Sequence, residues 1–136
     1  MLFPLHLQLE GKRVLVVGAG PVGVRRARAA AACGADVLVV APEAPEDLEL
    51  PVARRRFAPD DLDGAWLVLS CTGVVDDHVA ALCHERRTWC VRADDATLSE
   101  AWVPAVGRAE EVVVSVTAGR DPRRSIALRD AFLDSL

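Results

Sequence analysis

The sequence predicts an α/β fold in which helices cover both faces of a mostly parallel sheet. Short apolar runs alternate along the chain with longer segments of helical period. Runs of about five apolar residues are typical of strands that are buried on both faces. A glycine-rich turn separates the first of these runs from the first helix. Near residue 100 the pattern changes to two neighbouring strands and a final helix, so we expect a first domain over residues 1–100 and a smaller segment over 101–136.

The first β-α-β unit is the clearest part of this pattern. Arg13–Val17 (RVLVV) and Asp36–Val40 (DVLVV) are rich in β-branched residues and predict two strands. The helix between them is expected from Pro21 to Cys33, because proline suits the first helical turn, where its missing N–H would be unpaired. Small residues at helical spacing give this helix a slim inner face: Gly23, Ala27, Ala30, Ala31 and Gly34.

The middle of the chain is expected to continue the alternation. Residues 42–51 are acidic and proline-rich and predict a loop, whereas Val52–Phe57, with its three adjacent arginines, predicts an edge strand. Ala65–Ser70 (AWLVLS) predicts another buried strand. A helix should follow from Asp76, as its N-cap, to about Arg86, and Trp89–Val91 returns to strand.

The last part of the chain has a different pattern. Ala101–Val106 and Val112–Thr117 predict two strands joined by a polar turn. Ser125 is expected to cap a final helix that runs to Leu136 and carries apolar residues on one side.

Composition excludes several classes of function. The chain has 136 residues, 51% of them hydrophobic, and a formal net charge of −4. Nucleic-acid-binding domains are usually strongly basic, so no nucleic-acid partner is expected. No apolar run approaches the ~18 residues of a membrane span, so no membrane partner is expected.

The four cysteines indicate neither a metal site nor a disulfide framework. No two of them form a CxxC pair, and none is matched with a histidine at zinc-ligand spacing. The chain lacks the features of a small secreted domain, and we therefore expect reduced thiols in a cytoplasmic protein. The four positions are Cys33, Cys71, Cys83 and Cys90.

The glycine-rich turn carries the strongest chemical signal. Gly18, Gly20 and Gly23 form a GxGxxG motif that follows a buried strand and opens a helix. In such a motif the first glycine permits the tight turn, the second lets the backbone approach a diphosphate, and the third lets the helix pack closely on the sheet. The sequence therefore predicts a Rossmann-like dinucleotide site. A glycine turn that serves only packing is the alternative.

The second half of the dinucleotide motif is incomplete. An acidic residue normally ends the second strand and binds the ribose hydroxyls, but this position falls near Ala41. Glu43, two residues later, is a candidate replacement, or it belongs to a solvated acidic loop. NAD is the expected cofactor, and NADP is not excluded, because a missing strand-end acid removes one repulsion against a 2′-phosphate.

Two further segments lie where a parallel sheet binds ligands. Thr72 and Gly73 follow the fourth predicted strand, at the carboxyl edge of the sheet, and are candidates to line the nicotinamide half of the cofactor. An ordinary strand-to-helix turn is the alternative. Asp94 and Asp95 follow the next strand, where a carboxylate could be a general base or simply a turn residue.

The remaining polar residues are less specific. No pair of the three histidines has the helical spacing of a chelating pair. Arginines occur in clusters, and a cluster of this kind is usually a solvated face, although arginine forks also suit carboxylates and phosphates. The cluster best placed to meet a polyanionic ligand comprises Arg120, Arg123 and Arg124.

The chain resembles the siroheme synthase N-terminal domain family over nearly its whole length. Four features carry the resemblance: an F-P-L-x-L-x-L lead before the first strand, an arginine-rich helix after the glycine motif, a second strand that ends in Ala41–Pro42 rather than an acid, and the segments Cys90–Pro104 and Val112–Gly119. Two departures are visible. Ser115 is followed by Val, Thr and Ala rather than by serine and glycines, and family members continue past the final helix.

The resemblance implies an NAD-dependent oxidation of precorrin-2 to sirohydrochlorin. It implies that Asp94, by its spacing from Cys90 and Pro104, is the general base. It also implies that the three arginines bind carboxylates of the tetrapyrrole substrate. The expected oligomer is a homodimer formed through the last strands and helix. Two alternatives stay open: a dinucleotide-binding regulatory module without chemistry, and an added sirohydrochlorin ferrochelatase activity. The cofactor contacts that it implies are Gly18, Gly20, Pro21, Val22, Gly23, Pro42 and Glu43.

Overall fold

A five-stranded parallel sheet forms the larger part of the molecule, in the strand order β3-β2-β1-β4-β5. The computed structural model describes residues 1–136. The predicted α/β class and its doubly wound, mostly parallel sheet are confirmed. The elements of this part are β1 (Arg13–Val17), α1 (Pro21–Ala32), β2 (Asp36–Val40), β3 (Val52–Ala53), β4 (Leu67–Ser70), α2 (Asp76–Glu85) and β5 (Trp89–Arg92), with 3₁₀ turns at Pro59–Leu62 and Ala96–Leu98.

The two faces of this sheet are covered by different helices. Alternate residues of β1 enter two separate cores, because successive side chains of a strand point to opposite faces. Val14 and Val16 pack with Ala27 and Ala30 of α1. Leu15 and Val17 belong to the core on the other face, to which α2 contributes Val79 and Cys83. The sheet is therefore buried on both sides, which explains its continuous apolar strands.

The last 35 residues form a second compact unit, Trp102–Leu136, while the first is Met1–Ala101. In the second unit β6 (Ala105–Ala109) pairs antiparallel with β7 (Val112–Val116). Helix α3 (Pro122–Asp134) packs on this hairpin. Gly107 marks the closest approach, since a Cβ there would lie 2.5 Å from Leu133 Cδ1.

Several predicted elements differ from the structure. The expected edge strand Val52–Phe57 is wrong beyond Ala53, because Arg54 turns out of the sheet and donates to the carbonyls of Ala44 and Pro45. The first strand of the hairpin is Ala105–Ala109 and not Ala101–Val106. The strand predicted at Ala65–Ser70 begins at Leu67.

The predicted start of the last helix is also wrong. Helix α3 begins at Pro122 and is capped by Asp121, whose side chain accepts a hydrogen bond from Arg124 N at 3.0 Å. Ser125 is instead a buried residue inside the first turns, where its Oγ accepts from Ala118 N at 2.9 Å.

Candidate functional site

The glycine turn, residues 18–23, lies at the carboxyl end of β1 and combines tight packing with an open backbone. Gly18 has φ +105°, a conformation that favours glycine. A Cβ at Gly18 would lie 2.6 Å from the carbonyl oxygen of Cys71, and a Cβ at Gly23 would lie 2.3 Å from that of Gly18. At Gly20, by contrast, a Cβ would meet nothing within 4 Å. The first and third glycines are therefore required by packing, and the second leaves space above the backbone.

That space opens into two adjoining cavities of about 460 and 450 Å³. Both include Ala19, Gly20 and Pro45, and the second also includes Glu43. The predicted residue Glu43 thus shares a cavity with the glycine turn. Ala41 is 4% exposed and its amide donates to Ala53 at 3.1 Å, so this residue belongs to the sheet edge.

The charge around the glycine turn suits an anion. Helix α1 begins at Pro21, next to the exposed Val22, and has no acidic residue in its first turn. Arg25 and Arg28 line the larger cavity, and Arg28 is paired with Glu49, so Arg25 is the cation there without such a pair. A helix N-terminus attracts phosphate through its free N–H groups and dipole. Open backbone at the second glycine, a helix N-terminus and basic lining together fit the diphosphate of a dinucleotide.

The loop after β4 is held by a buried carboxylate. Asp76, which is 2% exposed, accepts hydrogen bonds from Thr72 N and Thr72 Oγ1 at 3.1 Å and from Gly73 N at 2.6 Å. Ser70 Oγ donates to the same carboxylate. Gly73 has φ +73°, which favours glycine at this turn. The predicted residues Thr72 and Gly73 therefore lie in a loop with a fixed conformation.

Asp76 was predicted only as a helix cap, and its wider role was missed. It is the first residue of α2 rather than the N-cap, which is Val75. Its partners precede it by three to six residues, so hydroxyl side chains shortly before an acidic helix start are the sequence signal that could have found it.

Asp94, which the family resemblance selects as the general base, and its neighbour Asp95 have different surroundings. Asp95 caps a 3₁₀ turn and accepts from Thr97 N at 2.8 Å and from Thr97 Oγ1 at 2.6 Å. Asp94 forms a two-point ion pair with Arg92, at 2.9 Å from Nε and 2.7 Å from Nη2. The hydrogen bonds from Arg92 hold the pKa of Asp94 below its usual range, against the smaller effect of burial. Arg92 is the second functional residue that the sequence analysis missed, although a charged residue ending a buried strand is a visible signal.

Cys71 lies beside the glycine turn as an unreactive thiol. It is partly buried, and burial raises its pKa to about 11. At neutral pH it is therefore protonated, and the nucleophilic thiolate is scarce.

The remaining predicted residues lie in the second unit. Arg120, Arg123 and Arg124 are exposed and flank the N-terminus of α3. No group of three or more His, Cys, Asp or Glu side chains converges in an arrangement that could bind a metal ion. None of the helices combines the length and apolar character needed to cross a membrane.

Comparison with known proteins identifies the family. The profile of a protein family described as "Putative NAD(P)-binding" matches residues 5–105. The chain belongs to this family. The match includes the glycine turn, the Thr72 loop and Asp94, and it supports a nicotinamide dinucleotide as the cofactor.

Curated relatives of this chain include siroheme synthases. The chain is 35% identical over 127 residues to the siroheme synthase of Pseudomonas fluorescens (strain Pf0-1), covering 87% of this chain and 27% of the relative. It is 40% identical over 126 residues to the siroheme synthase of Chromobacterium violaceum, covering 86% and 27%. The resemblance to the siroheme synthase N-terminal domain is thus confirmed, and the chain spans less than a third of the length of these relatives.

A solved structure shares the fold of the whole chain. The structure described as SirC, precorrin-2 dehydrogenase, superposes with a TM-score of 0.82 and 21% identity, covering 99% of this chain and 71% of that one. This likeness includes the terminal hairpin and helix as well as the parallel sheet.

Proposed function

We propose that this chain binds NAD and oxidises precorrin-2 to sirohydrochlorin in siroheme biosynthesis, with Asp94 as general base. The siroheme synthase relatives and the precorrin-2 dehydrogenase fold neighbour support this reaction. One observation supports the assignment of the site. Strand register aligns Val17 with Ser70 and Ser70 with Arg92, so the glycine turn, the Thr72 loop and Asp94 all follow the same edge of the sheet.

The residues of this edge divide the work of binding. The open backbone at Gly20 and the start of α1 would hold the diphosphate, and Glu43 would accept hydrogen bonds from the ribose hydroxyls. The Thr72–Gly73 loop would border the nicotinamide. When bound, the nicotinamide supplies the hydride acceptor.

Removal of the substrate proton is the step that needs a side chain of the protein. The oxidation removes one hydride and one proton from the substrate, and a carboxylate oxygen of Asp94 is proposed to take the proton. The ion pair with Arg92 keeps Asp94 ionised, as a base must be. The same pair supports a second candidate, the regulatory module without chemistry, because a carboxylate with a lowered pKa is a weak base.

We propose that the smaller unit binds the carboxylates of the substrate and forms the contact with a second subunit. Arg120, Arg123 and Arg124 are exposed guanidinium groups that suit the carboxylates of a tetrapyrrole. The hairpin and α3 also expose apolar side chains, among them Val113, Ile126 and Phe132, and these support a homodimer formed through this unit. The proposal thus assigns NAD(P) binding to residues 1–100 and part of the dimer contact to residues 101–136. A cytoplasmic location and ferrochelatase activity stay predictions.

The deciding experiment is anaerobic absorbance spectroscopy with precorrin-2, with and without NAD. We expect sirohydrochlorin and NADH to appear together, and Asp94→Asn to abolish turnover while NAD binding measured by calorimetry persists. Asp95→Asn is the matched control, because Asp95 caps a turn and does not contact Arg92. NAD binding with no turnover in the wild-type chain would favour the regulatory module.

The cofactor preference is tested at Glu43. Glu43→Ala should weaken NAD binding more than NADP binding, because a carboxylate helps the ribose hydroxyls and repels a 2′-phosphate. Equal losses for the two cofactors would contradict this role.

A further inference from the structure

Arg92 is a buried charge at the end of an otherwise apolar strand. Its side chain is 7% exposed, and it follows Cys90 and Val91, which are 3% and 5% exposed. A charge removed from water to this extent is costly unless it is paired and hydrogen-bonded. Arg92 therefore needs its carboxylate partners, and their positions depend on it in turn.

The guanidinium binds two carboxylates from different elements. Nε and Nη2 donate to both oxygens of Asp94, and Nη1 donates to Asp77 Oδ1 at 2.7 Å. The backbone of Arg92 is also fixed, because its N–H donates to Ser99 Oγ at 2.8 Å. The two-point contact defines the plane and direction of the Asp94 carboxyl group, which a single hydrogen bond would not.

The same contacts connect Asp94 with the Thr72 loop. Asp77 is adjacent to Asp76, and both belong to the first turn of α2. Asp76 holds Thr72 and Gly73, whereas Asp77 contacts Arg92. The start of α2 thus contacts the loop on one side and the arginine that holds Asp94 on the other.

We infer that Arg92 is a positioning residue, which aims the Asp94 carboxylate and sets its place relative to the Thr72–Gly73 loop through Asp77. The inference rests on the proposed function, in which Asp94 takes the proton of the substrate. Arg92 itself touches no reacting atom in this scheme.

The charged groups around Asp94 make the positioning role of Arg92 visible in the pH dependence of the reaction. Arg92 faces it from β5, Asp77 from α2 across the guanidinium, and Asp95 is its chain neighbour. Hydrogen bonding to Arg92 lowers the pKa of Asp94, and burial opposes this only in part. Removing the cation leaves Asp77 and Asp95 as negative neighbours, so the pKa of Asp94 must rise and the base must become protonated at higher pH.

The test compares Arg92→Met and Arg92→Lys with the wild-type chain. Arg92→Met should reduce kcat by about 100-fold, the cost typical of a misplaced reacting group, with NAD affinity unchanged within about threefold. The acid limb of the kcat/KM profile should move to higher pH. Arg92→Lys keeps the charge without the two-point contact, so it should restore the pH profile but not kcat. Arg86→Met, which removes an exposed pair with Asp63, is the matched control and should leave kcat and the profile unchanged.

A titration of the Asp94 side-chain ¹³C carboxyl signal by NMR separates this inference from the proposed reaction. A rise in the Asp94 pKa in Arg92→Met, without turnover in any variant, would support the contact and defeat the proposed function. If turnover is present and Arg92→Met changes neither kcat nor the acid limb, the inference is overturned. Should Arg92→Met not fold, Arg92→Lys still tests the inference, because unchanged kcat in that variant would overturn it too.

Discussion

The glycine turn and the carboxylate edge, the latter comprising residues 72–77 and 92–94, lie on the same side of one sheet but are built in opposite ways. The glycine turn owes its shape to missing side chains, since a Cβ at Gly18 or Gly23 would collide with backbone oxygens. The carboxylate edge owes its shape to side chains, since Asp76 and Arg92 together accept or donate most of the hydrogen bonds there.

This difference separates binding from chemistry. Backbone groups can hold a phosphate without a titratable side chain, whereas proton transfer needs a group that gains and loses a proton. The glycine turn should therefore respond to changes in volume, and the carboxylate edge to changes in charge at constant volume.

The largest effect is expected when volume is added to the glycine turn. Gly23→Ala places a methyl group 2.3 Å from the Gly18 carbonyl oxygen, and such overpacking costs about 3 kcal/mol. Urea unfolding should show a large loss of stability, and dinucleotide binding should fall with it. A Gly23→Ala chain of wild-type stability would contradict the close approach described for this turn.

The next effect is a change of charge without a change of shape. Asp76→Asn replaces a buried acceptor of four hydrogen bonds with an amide whose NH₂ cannot accept, at a cost of about 2 kcal/mol. Urea unfolding measures the loss, and Asp60→Asn, at an exposed position, is the control that should change nothing. If the two variants unfolded alike, the carboxylate edge would not depend on charge.

A smaller effect on stability sharpens the comparison within the glycine turn. A Cβ at Gly20 would meet nothing within 4 Å, but Gly20 is the N-cap of α1, so Gly20→Ala should lower the free energy of unfolding by about 0.5 kcal/mol, the difference between glycine and alanine as a cap. The methyl group would occupy the space that a diphosphate needs, so calorimetry should show NAD affinity reduced about tenfold, or about 1.4 kcal/mol. Unchanged NAD affinity would show that the diphosphate does not bind at this turn.

Of the two regions, only the carboxylate edge should respond to pH, and this effect is expected to be the smallest. Because Arg92 lowers the pKa of Asp94 in the folded chain, ionised Asp94 stabilises the fold above the unfolded pKa of the residue. This stabilisation is lost as pH falls through the folded pKa. The difference in stability between wild type and Asp94→Asn should therefore be present at neutral pH and vanish in acid. A difference that persists at low pH would mean that packing, not charge, is responsible.

The sequence predicted the parts of the fold that depend on local pattern. The strands β1 and β2 and the start of α1 were found within their predicted bounds, because apolar runs, glycines and Pro21 define them locally. The predicted strand Val52–Phe57 was too long, because Arg54 leaves the sheet to bind backbone carbonyls of a neighbouring loop. The predicted helix start at Ser125 was wrong, because Asp121 caps α3 four residues earlier.

The candidate site was predictable only where a motif is contiguous. The GxGxxG motif is recognisable because it lies within six consecutive residues. Arg92 and Asp77, by contrast, are fifteen residues apart and are in contact because β4 and β5 pair in one register. Likewise, nothing in the adjacent letters of Asp94 and Asp95 tells which one caps a turn. That distinction comes from Thr97 on one side and Arg92 on the other.

The contact between Gly18 and the carbonyl of Cys71 has a consequence for recombination of related genes. With only 2.6 Å between a would-be Cβ and that oxygen, the first turn and the loop after β4 are a matched pair, although more than fifty residues separate them. A chimaera whose crossover falls between them inherits each partner from a different parent. Parents that differ in loop length or backbone path at either position would give chimaeras in which this contact is lost, while crossovers outside the pair would keep it.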